Sequence, residues 1–374
     1  MKVAFRTDAT RQIGTGHFMR CLTLADELKK QGAQIRFISR NLPAHLSDML
    51  NEKGMEYVPL NMDVAQEPND ELAHSSWLGT SQAQDAQATI QAMAAHVWDW
   101  VVVDHYALDV RWESAVRASA KQLMVIDDLA DRPHNCDILL DQNFYHDQKQ
   151  RYKGLIPEQC LTLLGPAYVL LRPEFAEAKQ QLKGRDGTIE RILVFFGGND
   201  PTNETVKVLV ALQRFNRTQI SVDVVVGLTN TNRIVIQKLC EELPNATYHC
   251  NVSNMAELIL NADLGIGAGG SAMWERCYLG LPTITVVSAA NQVRTTEDVA
   301  DIGAIGYLGW SDALEPIDYV RAISELLANP QRVKQISDVA LGVLHRIATI
   351  TVVDEMCNLL QPLLTDIHAA EHFS

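Results

Sequence analysis

A chain of 374 residues with a formal net charge of −14 is too long for one ordinary core. Its charge also has the wrong sign for nucleic acid or an anionic membrane as the main partner. Its 47% of hydrophobic residues is the make-up of a globular protein, here of two domains, and an anionic small ligand stays open to it wherever backbone N–H groups and a few arginines gather.

Along the chain, short β-rich apolar runs alternate with stretches of helical period, the pattern of parallel α/β architecture. Residues 2–6 read as a strand. Residues 17–32 read as a helix with Phe18, Leu22, Ala25 and Leu28 on one face and Gly32 just past its end. The strands "QIRFIS", "WDWVVVD", "LMVIDD", "CDILLD" and "LTLLG" continue the series. The stretch from Arg172 to Thr188, "RPEFAEAKQQLKGRDGT", is polar and reads as a linker. The rhythm then restarts with "RILVFFGGND", "SVDVVVG", "ATYHC", "DLGIGAGGS" and "LPTITVV". This gives two Rossmann-like domains facing a cleft, residues 1–172 and 189–345, joined by 173–188. A C-terminal helix and tail, residues 346–374, is drawn as packing back on the first domain. Ligands of such sheets sit at the carboxyl ends of the strands.

The first loop, "IGTGHFMR", is a poor dinucleotide fingerprint, because the third glycine of GxGxxG is replaced by Met19. The second strand ends in Ser39-Arg40 rather than in an acid for a ribose, which leaves only Arg40 in favour of a phosphorylated nicotinamide cofactor. Gly14 and Gly16 allow a tight turn and close ligand approach before His17, which opens the helix. An imidazole titrates near neutral pH and takes a proton from water when suitably placed. A helix-start histidine satisfied by backbone or solvent explains the same pattern. In "FFGGND", Gly198 and Asn199 are candidates for a ligand contact; the plainer reading is a tight turn with an Asp200 cap and Pro201 at the first helical position.

"GAGGSAMWERC" is the stronger signal. Gly267, Gly269 and Gly270 follow a strand and Ser271 opens a helix, a setting for a diphosphate. A capping box would want an acid at position 274, which is Trp274, so Glu275 is left for ribose hydroxyls or for solvent. Asn291 and Gln292 can face a sugar, with capping by Asn291 as the simpler account. Among the strand-end acids Asp104, Asp127 and Asp128, only Asp104 is kept, as a group that orients a sugar or a catalytic side chain. His134 and Cys136 are too few for a metal site, and Trp77 and Trp274 read as packing.

Seven isolated cysteines form no CxxC pair, the first residues show no apolar leader core, and no apolar run reaches the roughly 18 residues of a membrane helix. The expectation is a reduced, cytoplasmic monomer without cofactor or metal.

Several blocks then carry a resemblance when taken in order: "FRTDATRQIGTGHFMRCLTLADEL", "HSSWLGTSQAQDA", "VVVDHYALD", "VIDDLADRPHNCDILLDQN", "GPAYVLLRPEF", "FFGGNDPTN", "GAGGSAMWERCYLGLPTI" and "ANQ". Over residues 1 to about 350 the chain resembles the UDP-2,4-diacetamido-2,4,6-trideoxy-β-L-altropyranose hydrolases of pseudaminic acid synthesis, which feed flagellin or surface glycans. More remotely it is similar to the two-domain glycosyltransferase-B enzymes. The resemblance implies a UDP-sugar and water as partners, His17 as the catalytic histidine, and UDP held by Gly269, Gly270, Ser271 and Glu275. It also implies a sugar-facing amide region at Asn291 and Gln292 and, more weakly, a role for Arg172. A glycosyltransferase and a non-catalytic nucleotide-sugar binder are the alternatives.

Overall fold

The computed structural model describes residues 1–10, 12–61, 70–94, 97–215, 219–344 and 349–371, with side chains through residue 360. Its contacts gather into two compact units. The first comprises Met1–Asn143, Asp147–Leu170 and Ala348–Ser374; the second comprises Phe144–His146 and Leu171–Ile347.

In the first unit seven strands form one sheet: β1 (Lys2–Thr7), β2 (Gln34–Ser39), β3 (Glu56–Pro59), β4 (Trp98–Asp104), β5 (Ala120–Ile126), β6 (Ile138–Asp141) and β7 (Leu161–Leu164). They lie in the order β3-β2-β1-β4-β5-β6-β7, and every pairing is parallel. The near-continuous apolar runs of β4 and β5 suit strands covered on both faces. On one face Phe5, Phe37, Trp100 and Met124 pack with Phe18, Leu22, Ala25 and Leu28 of the helix Gly16–Lys30. Burial of each larger side chain contributes about 1.5–3 kcal/mol. Val352, Val353 and Met356 of the helix Thr349–Glu371 complete this core. On the other face Ile38, Val101, Val103, Leu139 and Trp112 form a second core.

The second unit has six parallel strands: β8 (Arg191–Phe195), β9 (Ser221–Val226), β10 (Ala246–Cys250), β11 (Leu264–Ala268), β12 (Thr283–Val287) and β13 (Gly306–Trp310). Their order is β10-β9-β8-β11-β12-β13. In both sheets the winding reverses once, between β1 and β4 and between β8 and β11. A crevice opens at the strands' carboxyl ends at such a switch point.

The stretch read as a linker is structured. Its residues 173–180 form the helix Pro173–Gln180, with Phe175 and Ala178 buried on one side and Pro173 at the first position, where its missing N–H costs nothing. Arg185 is tied by its guanidinium to the carbonyls of Gly280 at 3.1 Å and Ile259 at 3.2 Å. Two apolar residues one turn apart are too little to stand out among so many charges.

Candidate active site

At the first switch point β1 ends at Thr7 and β4 at Asp104, and the helix Gly16–Lys30 starts beside them. Gly14 has φ +78°, the left-handed conformation that glycine adopts without strain, and closes the turn by donating to the Thr10 carbonyl at 2.8 Å. His17 is thereby the helix's second residue, and its Nδ1 lies 2.5 Å from Asp104 Oδ1. Arg20, one turn on and on the same face, grips Asp104 with Nε at 2.5 Å and Nη2 at 2.7 Å. Its Nη1 reaches Asp128 at 3.2 Å, and Asp128 accepts the Tyr106 hydroxyl at 2.5 Å.

Burial alone would raise the Asp104 carboxyl, but the Arg20 guanidinium and His17 outweigh it and hold the group well below the usual carboxylate range. An ionised carboxylate only accepts, so Nδ1 of His17 donates to it and the lone pair sits on Nε2. Nε2 has no hydrogen-bond partner among the described residues. The ring is steadied on one side by Tyr106, edge-on at 4.5 Å between centroids. This is an imidazole with one nitrogen fixed by a carboxylate and the other available to a proton.

Neighbouring polar residues do other work. His105 turns away from Asp104 and pairs with Asp8 at 3.2 Å. Asp8 also pairs with Arg6 and accepts the backbone N–H of Arg40 at 2.7 Å. Arg40 is buried and committed to Asp85 and to the carbonyl of Asn61, so it is not a free cation for a cofactor phosphate. Trp77, read as packing, is half-buried and packs in an aromatic group with His74 and Tyr106; Trp274 is fully buried.

At the second switch point the residues are smaller and charges fewer. Gly267 lies inside β11, where a Cβ would come within 2.3 Å of the Phe195 carbonyl and 2.9 Å of Arg276 Nη1. On Gly269 a Cβ would meet Thr296 Oγ1 at 2.2 Å. Both are therefore glycine for packing, which corrects the reading of Gly267 as part of the loop. Gly270 is different: a Cβ there would meet only Gln292 Nε2, at an ordinary 3.5 Å. Among the described residues the N–H groups of Gly270 and Ser271 have no acceptor. Ser271 precedes the helix Ala272–Tyr278 and makes no side-chain cap.

Two separately chosen residues meet here, with Arg172 Nη2 3.3 Å from Glu275 Oε1. Burial raises the Glu275 carboxyl and Arg172 pulls it part of the way back. Gln292 Oε1 accepts the Ser288 N–H at 3.1 Å, and Asn291 stands in the short 3-10 turn Ala290–Gln292. Asn199 accepts the Thr229 hydroxyl, and Gly198 takes the Gly227 N–H at 3.1 Å. The helix after "FFGGND" does not start at Pro201. It spans Glu204–Gln213, and Asp200 reaches forward to the N–H groups of Glu204 and Thr205, each at 2.9 Å. The left-handed Asp200 and Asn203 add a loop that a tight turn lacks.

Sequence reasoning missed Arg20, His74 and Arg276. The H-x-x-R spacing of His17 and Arg20 was the available signal for the first. Arg276 had none: it is buried, among the described residues its Nε and Nη1 have no hydrogen-bond partner, and desolvation lowers it to about 10. Among the described residues no group of three or more His, Cys, Asp or Glu is placed to hold a metal ion, and no helix is long and apolar enough to cross a membrane.

Residues 191–344 match the glycosyltransferase family 28 C-terminal domain. The UDP-2,4-diacetamido-2,4,6-trideoxy-beta-L-altropyranose hydrolase of Campylobacter jejuni is 26% identical over 304 residues, 81% of this chain and 97% of that protein. An uncharacterized protein of Methanocaldococcus jannaschii is 26% identical over 305 residues, 80% of this chain, which spans 58% of that relative's length. Among solved structures, Acinetobacter baumannii MurG superposes with a TM-score of 0.63 at 16% identity, over 96% of this chain and 99% of that one. UDP-GlcNAc 2-epimerase from Neisseria meningitidis gives 0.61 at 13% identity, over 96% and 100%. The fold is that of the glycosyltransferase-B enzymes. Its second α/β domain is the one that the family 28 model describes.

Proposed function

We propose that the chain is an enzyme of nucleotide-sugar metabolism that hydrolyses a UDP-linked 2,4-diacetamido-2,4,6-trideoxy sugar to UDP and the free sugar, as the Campylobacter protein's name describes for that relative. The observation that carries the reading is the His17–Asp104 pair, with Nε2 free of hydrogen-bond partners among the described residues. In the reaction, Nε2 takes a proton from water as the water oxygen bonds to the anomeric carbon from the face opposite the nucleotide. The bond from that carbon to the phosphate oxygen breaks, its electron pair leaves with UDP, and the configuration inverts.

Asp104 holds the ring and offsets the imidazolium charge that forms. Most glycosidases need a second carboxyl group as general acid because an alkoxide leaves badly. UDP leaves as a stabilised anion, so one base suffices. The open N–H groups at Gly270 and Ser271 suit its growing charge, and the Glu275–Arg172 pair and Gln292 suit the nucleoside and sugar. On the family resemblance carried by the ordered sequence blocks, the chain would serve pseudaminic acid synthesis.

A second reading is favoured by the family 28 match: a transferase in which an acceptor hydroxyl replaces water. Incubation of the UDP-sugar with the protein and no acceptor separates the two. Hydrolysis releases UDP and the sugar of inverted anomeric configuration; a transferase releases neither at a comparable rate.

A further inference from the structure

We propose that Trp77 and His74 form the wall against which the substrate's sugar lies, the indole covering its apolar face and the two rings' nitrogens meeting its acetamido groups. The proposal rests on the sugar-nucleotide reading above and adds a specificity surface to it. Trp77 ends the 3-10 turn Ser75–Trp77. Its ring centroid lies 4.4 Å from that of His74 and 5.5 Å from that of Tyr106, and Tyr106 lies 4.5 Å from His17. The rings thus run in unbroken contact from Trp77 to the imidazole assigned to water.

The turn is held firmly. Asp70, just before it, takes Arg111 Nη2 at 2.9 Å and Gln82 Nε2 at 3.1 Å, and Gln82 in turn accepts the Asp109 N–H at 3.1 Å. Yet the indole so carried is only half-buried. A Trp placed for the core buries its ring and finds an acceptor for its N–H. Trp98 and Trp112 do both, donating to the Met93 carbonyl at 2.9 Å and to Asp85 at 3.0 Å, and Trp100 is fully buried although its Nε1 has no hydrogen-bond partner among the described residues. Trp77 does neither: among the described residues no acceptor meets its Nε1 and no partner meets the His74 ring nitrogens. Burial lowers His74, which keeps the ring neutral at pH 7 with one donor and one acceptor nitrogen.

The chemistry fits a sugar that has a methyl group at C6 and two acetamido substituents. Its methyls and ring C–H groups suit an aromatic face, and its amides suit isolated N–H and N groups. UDP-N-acetylglucosamine has one acetamido group and a hydroxyl on C6, and fits less well.

The test compares Trp77→Ala, Trp77→Phe and the unaltered protein on the UDP-diacetamido sugar, on UDP-N-acetylglucosamine and on UDP alone. Loss of the wall raises KM for the diacetamido substrate by about tenfold, leaves kcat within about twofold and leaves the Kd of UDP unchanged. Trp77→Phe recovers most of the loss, and discrimination against UDP-N-acetylglucosamine narrows in Trp77→Ala. An unchanged KM in folded Trp77→Ala overturns the proposal. So does an equal weakening for UDP alone, or an unaltered protein that binds the sugar nucleotide no more tightly than UDP. The two assignments fail separately: normal turnover in His17→Gln removes the base and leaves the wall standing. Where no turnover occurs at all, calorimetric Kd values replace KM and are read the same way.

Discussion

The two switch points differ in how they treat charge. At the carboxyl end of the first sheet each strong charge has an opposite one: Arg20 between Asp104 and Asp128, Arg6 between Asp8 and Asp85, and Arg132 on Asp127 at 2.9 Å. At the second, among the described residues, bare N–H groups stand beside a glycine with room for a Cβ at ordinary contact, and Arg276 is buried with two nitrogens lacking a hydrogen-bond partner. A lattice of buried ion pairs holds one side chain, His17, through Asp104. An edge with spare donors is open to a ligand's oxygens. The proposed hydrolysis needs one of each, a held base and a cradle for a departing anion.

The largest expected effect breaks the first half. His17→Gln lowers kcat by about 10²–10⁴-fold while the Kd of UDP stays the same, read by UDP release and calorimetry. A common loss in both would mean that His17 supports the fold rather than the chemistry.

Stability separates the halves next. Asp104→Asn removes one partner of a buried ion pair and lowers the unfolding free energy by about 3 kcal/mol. Glu275→Gln, whose side chain is 20% exposed beside Arg172, costs under about 1 kcal/mol. Urea titrations of the two variants give the comparison, and equal costs would contradict the contrast drawn above.

Within the second half, Gly269→Ala forces a Cβ against Thr296 and destabilises by about 1–3 kcal/mol. Gly270→Ala finds room, so it leaves the melting temperature in place and weakens UDP binding several-fold. If both substitutions act on stability alone, the loop is structural.

The smallest effect is in acid. Burial would raise the carboxyls of Asp8, Asp104 and Asp127, but Arg6, Arg20 and Arg132 respectively hold them below the ordinary range. Their stabilisation is complete above the unfolded value of about 4 and is lost as pH falls through the lower folded values. Burial raises Asp200, Glu204 and Glu275 in the second unit. Their contribution is present below the unfolded value and is lost as pH rises through the folded one. Asp141, pushed up to about 8 by burial and then by Asp128, runs against the trend in the first unit. Hydrogen exchange between pH 5 and pH 3 therefore shows β1, β4 and β5 losing protection before β8 and β11; the reverse order would contradict these signs.

Much of the fold was legible because parallel sheets write themselves as apolar runs. "WDWVVVD" is β4 to the residue, and the helix face of Phe18, Leu22, Ala25 and Leu28 is buried as its spacing implies. The helix Pro173–Gln180 was not, because its apolar stripe is two residues long. In the site, His17 and Asp104 were both singled out, but their contact spans 87 positions and follows from strand order, which local pattern does not carry. Arg172 and Glu275, 103 positions apart, met for the same reason. Gly267 was misread because a glycine that makes room for Arg276 looks like one that makes room for a ligand.

The claim at the centre is that water, primed by His17, attacks the sugar's anomeric carbon and not phosphorus. It is tested most directly by running the reaction without acceptor in water enriched in oxygen-18 and weighing the UDP released. The account predicts that UDP is released and carries no label. UDP bearing one heavy oxygen, or no release at all, would contradict it.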